Sequence, residues 1–166
     1  MFELKTLSSE AVPRALAKAE RYRLLNEPGE ALSICLDVIT ADPDNQEAVA
    51  TMILALTDQF GVDQSYVHEA LDRIPGLRDP YERAYYTGIV HERRAKALLA
   101  HGTPRGGSLA YEWLRHAMSC YEEADAIRPL NNDDARLRWN ACARLIDRNP
   151  QLAPAVDEPH EPLLSE

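Results

Sequence analysis

Ala31-Leu32-Ser33-Ile34-Cys35-Leu36-Asp37-Val38-Ile39-Thr40-Ala41-Asp42-Pro43 and Ala117-Met118-Ser119-Cys120-Tyr121-Glu122-Glu123-Ala124-Asp125-Ala126-Ile127-Arg128-Pro129 share one pattern. A small residue is followed four positions later by a medium or aromatic one, Cys35 or Tyr121. An apolar residue comes three later, Val38 or Ala124, and a proline five after that, Pro43 or Pro129. The first three positions of each set lie on one stripe of an α-helix, and the proline ends it.

Outward from these stretches the apolar period stays near 3.6, and no strand-like alternation interrupts it. The period predicts helices over about 10–26, 29–41, 46–59, 63–73, 79–100, 108–127 and 131–148. Ala15, Ala19, Tyr22 and Leu25 form the buried side of the first. Ala31, Leu32, Cys35, Val38 and Ile39 form that of the second. Asn26-Glu27-Pro28-Gly29, Asp42-Pro43-Asp44-Asn45, Pro75-Gly76, His101-Gly102-Thr103-Pro104 and Asn149-Pro150 punctuate the runs. Arg105-Gly106-Gly107-Ser108 reads as a flexible internal loop, with Ser108 as N-cap of the sixth helix. The expected fold class is all-α, about seven helices over residues 1–149. Residues 150–166 read as a flexible, acidic, proline-rich tail.

The chain has 166 residues, 45% hydrophobic and 27% charged, enough for one domain with a real core. The net charge of −9 disfavours the phosphate backbone of nucleic acid and anionic membrane surfaces. No stretch approaches the length of a membrane-spanning helix, and no signal pattern opens the chain. Cys35, Cys120 and Cys142 are odd in number, far apart and set in helices, which suits buried thiols in a reducing, cytoplasmic setting.

The pattern extends upstream. Ala19 and Tyr22 precede the first stretch, and Gly88 and His91 precede the second. The whole resembles the tetratricopeptide repeat, a pair of antiparallel helices in which a small residue lets the helices approach and a larger one fills the gap beside it. The resemblance covers about 10–148 and implies a solenoid of helical hairpins with three repeats and a capping seventh helix. The repeats are uneven. The second, about 46–78, carries Ser65 where a small alanine is expected. The third is stretched: Gly88 and Ala117 are 29 positions apart, against 12 for Ala19 and Ala31.

In this family the first helix of each pair lines a concave groove that holds a segment of another protein. The family register places Leu16, Glu20 and Arg23 there, then Ala50, Leu54 and Thr57, then Tyr85, Ile89, Glu92 and Arg93, and last Arg136, Asn140 and Arg144. The last three fall at i, i+4 and i+8 and share a helix face. Arg93, Arg136 and Arg144 would then make a cationic wall for carboxylates; a solvated face with Asp133 and Asp134 as partners is the other reading. The lysine and asparagine that one branch of the family uses to grip C-terminal carboxylates are replaced by Leu16 and Glu20.

The function this implies is an adaptor or scaffold binding a partner peptide or helix, with a secretion-type chaperone as a second form of it. An enzyme or ligand sensor with a pocket near the 101–108 loop is the competing class. No acid, base and nucleophile set, metal-ligand spacing or phosphate loop supports it, so no catalytic residue, metal or cofactor is assigned. His116 and Cys120 lie four apart but lack further ligands. His91-Glu92 and Glu122-Glu123 read as solvated or helix-pairing charges, and Trp113 and Trp139 as core. The tail, with Asp157, Glu158 and Glu161 around Pro159 and then Leu163-Leu164, is either a free solubilising segment or a ligand for the groove of its own chain or of a second copy.

Overall fold

The computed structural model describes residues 1–156. Among them are seven α-helices and no strand: α1 (Val12–Leu24), α2 (Pro28–Ala41), α3 (Gln46–Thr57), α4 (Ser65–Arg73), α5 (Pro80–His101), α6 (Gly106–Ala126) and α7 (Asp134–Arg148). The all-α expectation holds, with boundaries within a few residues of the expected ones. No helix is long and apolar enough to cross a membrane.

The punctuation acts as its chemistry dictates. The Asn45 side chain accepts the Ala48 N–H at 2.9 Å and opens α3. Asp79 accepts from the Tyr81 N–H, and Pro80 takes the first position of α5, where its missing N–H costs nothing. Gly102, at φ 62°, closes α5 in the left-handed region. Asn26 and Asn131 adopt the same region, at φ 61° and 64°, in the turns after α1 and after α6.

Each helix packs on the next in sequence. In addition α1 touches α3, and α3 touches α5. The core has two large clusters and a small one of Val12, Leu16, Val38 and Ala48. Ala19, Ala31, Cys35, Met52, Ile53, Leu56 and Phe60 belong to a cluster under α1–α4, and Leu114, Ala117, Tyr121, Ala135 and Cys142 to one under α5–α7.

Three local expectations are corrected. Leu25 is 62% exposed, because α1 has ended and the chain is already turning at Asn26. Arg105–Ser108 is not a free loop: α6 starts at Gly106, and the Ser108 hydroxyl turns back to the Arg105 carbonyl at 3.3 Å instead of capping. The glycines are there for space. A Cβ on Gly106 would stand 2.9 Å from Thr103 Oγ1, and one on Gly107 would collide with the carbonyl of Gln151. Ser65 lies exposed at the first position of α4, whose buried residues are Val67 and Ala70. Past α7 the packed chain continues through Leu152, which is 4% exposed and joins the C-terminal cluster. Asp157, Glu158, Pro159, Glu161, Leu163 and Leu164 lie outside the described residues.

Candidate functional site

One face of the odd-numbered helices carries two linked sets of ion pairs. Near the C-terminal ends of α1 and α3, Arg23 Nε donates to Asp58 Oδ2 at 2.8 Å, and Arg93 Nη1 of α5 donates to Asp58 Oδ1 at 3.1 Å. One carboxylate therefore ties three helices. Beside it Lys96 Nζ lies 2.5 Å from Glu92 Oε1, and Arg138 Nη1 of α7 lies 3.4 Å from the same oxygen. From below, the Tyr121 hydroxyl of α6 donates to Glu92 Oε2 at 2.6 Å.

Glu92 is 1% exposed, so its charge survives only through these partners. Burial opposes ionisation, but the hydrogen bonds from Lys96 and Tyr121 and the charges of Lys96 and Arg138 outweigh it. The carboxyl is held below its ordinary range. The same burial, with Glu92 adjacent, pushes the Tyr121 phenol up. Arg23, Thr57, Asp58, Arg93, Lys96 and Arg138 line an open cavity of about 480 Å³.

Arg23 also borders a second cavity of about 360 Å³, so the two adjoin. Ala50, Leu54 and Tyr86 form its apolar lining, and Glu20, Glu47 and Glu82 its acidic one. Tyr86 is half-buried between the ends; burial first and Glu82 next push its phenol up, while Arg23 opposes them.

The structure brings together Arg23, Ala50, Leu54, Thr57 and Arg93 from the family-implied set, with Glu20 at the margin. Leu16 and Ile89 are core residues, 4% and 3% exposed. Glu92 lies beneath the surface, as a buried charge and not a solvated one. Tyr85 is half-buried in an aromatic cluster, stacked on Tyr81 at 5.8 Å between ring centroids, edge-on to Tyr86 at 5.3 Å and tilted against Tyr121 at 6.0 Å.

The expected wall of Arg93, Arg136 and Arg144 is not one surface. Arg136 donates to Asp125 at 2.7 Å and, with Asn140 and Trp139, lines a separate cavity between α6 and α7. Arg144 is exposed and does not line the groove. The reason is helical phase. Ala135 and Cys142 face the core with Trp139 between them, so Arg138 lies at the edge of that stripe, on the groove side. Arg136, two positions earlier, points roughly 200° away from it. Lys96, Asp58 and Arg138 are the residues that the family register misses. The stripe Ala135, Trp139, Cys142, Ile146 is readable in the sequence and has Arg138 at its edge.

Other features are local. The Trp139 indole N–H donates to Glu122 at 2.9 Å, a second link between α6 and α7 beside Arg136–Asp125, and Asn140 is exposed. His91, Trp113 and His116 cluster with centroids 5.1 to 6.2 Å apart. Burial, then His116, holds the His91 imidazole below its ordinary value. All three cysteines are free. Burial pushes Cys35 and Cys120 to about 11 and Cys142 to about 12, which suppresses thiolate chemistry. Among the described residues no group of three His, Cys, Asp or Glu side chains is placed to hold a metal ion. The cavity at the 101–108 segment is lined by Leu98, Gly102, Thr103, Gly107 and the chain at Gln151 and Ala153–Val156.

No protein-family model, curated protein or solved structure matches the chain.

Proposed function

We propose that this chain is a protein-binding module, a helical-hairpin solenoid of the tetratricopeptide kind, whose odd-numbered helices hold a segment of a partner protein. The observation that carries the reading is a cavity bordered by α1, α3, α5 and α7 that shares Arg23 with a second cavity bordered by α1, α3 and α5. Such a surface, half apolar and rimmed by charge, suits a peptide or helix docked along it.

The hairpin contacts support the repeat reading. Ala19, Ala31, Cys35 and Val38 of one hairpin, and Ala117, Tyr121 and Ala124 of the other, are all 0% exposed. Gly88, at the place of Ala19, abuts the Tyr121 ring. A binding role is preferred to catalysis because both carboxylates at the basic end, Asp58 and Glu92, are already engaged by cations. The free, high-pKa thiols fit a reducing compartment such as the cytoplasm.

The test is capture of partners from the native cell by the full chain, by a groove variant, Leu54→Arg, and by a variant of the opposite side, Leu36→Arg. Both substitutions fall on partly exposed positions. Partners retained by Leu36→Arg and lost with Leu54→Arg support the groove. Partners lost only with Leu36→Arg sink it.

A further inference from the structure

We infer that the groove reads a bipolar segment: a partner stretch with an acidic residue at one end, a basic residue at the other and apolar side chains between, held in one direction. The inference rests on the groove reading and names the chemistry of its occupant.

The two ends carry opposite sign at the surface. At one end Lys96, Arg138 and Arg93 have side chains 46%, 34% and 33% exposed, while their partners Asp58 and Glu92 are 18% and 2% exposed. The acids lie below and the cations above. Four cations, counting Arg23, meet two carboxylates there. Lys96, Arg93 and Arg138 are each 33–46% exposed, so part of every one of these cationic side chains is open to solvent. An incoming carboxylate finds preorganised donors there without having to displace Asp58 or Glu92.

At the other end Glu47 is exposed and Glu82 is half-buried; Glu20, one turn before Arg23 on α1, is exposed on the border between the ends. None of the three forms an ion pair among the described residues. A lysine or arginine of the occupant would supply the missing charge. Between the ends, Ala50, Leu54 and Tyr86 offer apolar area.

Spacing fixes the length. Glu47 and Asp58 on one helix, and Glu82 and Arg93 on the next odd one, are each eleven residues apart. Eleven residues are close to three turns, so each pair keeps one face, and the rise is roughly 16 Å. An extended occupant covers that in about five residues, and a helical one in about eleven. Both helices carry the acid at the N-terminal end of the groove, which gives the surface one polarity and the occupant one direction.

The experiment is phage display of random dodecapeptides on the full chain and on the double variant Glu47→Lys,Glu82→Lys, with its folding checked by circular dichroism. The wild type is expected to enrich peptides with opposite charges in one fixed order at one of those spacings. Those peptides should bind the double variant at least tenfold more weakly. The double variant should instead select peptides acidic at both ends. Wild-type ligands of a single charge sign, ligands of either order, or ligands that bind the double variant equally overturn the inference and leave the groove standing. Ligands whose binding survives Leu54→Trp, which fills the groove, overturn the groove reading itself. A library that yields no binder overturns both.

Discussion

Where α5 and α6 approach most closely, Gly88 lies against the ring of Tyr121; a Cβ added to Gly88 would stand 2.5 Å from Tyr121 Cε1. In the hairpin of α1 and α2 the corresponding residues are Ala19 and Cys35, both fully buried in one cluster. The same position in the pattern is filled by a medium pair in one hairpin and by a minimal and a maximal residue in the other. The two solutions differ in their consequences. Cysteine buries no strong polar group. Tyrosine buries a hydroxyl that must be satisfied, and Glu92, one turn beyond Gly88 on α5, accepts it. That carboxylate then needs cations, and Lys96 and Arg138 supply them from the groove surface. Enlarging one core residue thus connects the C-terminal hairpin to the groove surface, and the N-terminal hairpin has no such chain.

The largest difference between the hairpins is expected at the tyrosine. Tyr121→Ala should cost about 3–5 kcal/mol, the range for a buried aromatic, whereas Cys35→Ala should cost about 1 kcal/mol. Chemical denaturation of the two variants measures both. Equal losses would show that the two sites are not different solutions to one contact.

The next effect tests compensation directly. Gly88→Ala alone should overpack the contact and cost roughly 1–3 kcal/mol. In a Tyr121→Cys background the same change imports the Ala–Cys pair of the first hairpin. There it should stabilise by about 1 kcal/mol, the helix-propensity gain of alanine over glycine. A double-mutant cycle with no coupling would mean the ring and the glycine do not constrain each other. Ala31→Leu and Ala117→Leu, at fully buried small positions, should each cost roughly 1–3 kcal/mol. An unchanged melting temperature in both would break the alignment of the hairpins.

Legibility from residues alone divides along the same line. The seven helices are legible because their apolar stripes and their Pro, Asn and Gly punctuation are local signals. Ala31, Cys35, Ala117 and Tyr121 are legible as core because their spacing repeats. Glu92 is not: its burial depends on Tyr121, Lys96 and Arg138, which come from three helices, and no local pattern marks that meeting. The family register fails on α7 because it continues across a helix whose own stripe, Ala135 to Cys142, sets a different face. Gly106 and Gly107 read as flexibility because the chain that presses on Gly107, at Gln151, lies 44 residues away in sequence.

Acid should separate the halves further. The His91 imidazole is held below its ordinary value of 6.5, so the unfolded chain binds that proton more readily. Stability is therefore lost as pH falls from neutrality through 6.5 towards the folded value. The Glu92 carboxyl is also held down, and its contribution, present above its ordinary value of 4.5, is lost as pH falls through the lower folded value. Both groups sit on α5, and α1, α2 and α3 contain no histidine. Hydrogen exchange should show α5 and α6 amides losing protection between neutral pH and pH 5 while α2 and α3 keep theirs. Uniform loss along the chain would show that the two halves respond to acid as one.

The smallest effect on stability is expected at the N-terminal tie to the groove, where Asp58 joins Arg23 and Arg93. These side chains are 18%, 19% and 33% exposed, so water already solvates part of each. Part-exposed pairs of this kind contribute about 0–1 kcal/mol. Arg93→Met keeps much of the side-chain volume and removes one cation, while Arg23 still neutralises Asp58. Its melting temperature should stay within a few degrees of the wild type's. Glu92→Gln removes a charge under the same surface. It strands Lys96 and Arg138 against a neutral amide and leaves Tyr121 a weaker acceptor, so it should cost more, on the order of 2 kcal/mol. If Arg93→Met proves the more destabilising of the two, the Asp58 bridge is a structural tie of the same rank as the Glu92 network. The contrast between a loosely held N-terminal side of the groove and a core-anchored C-terminal side would then have to be abandoned.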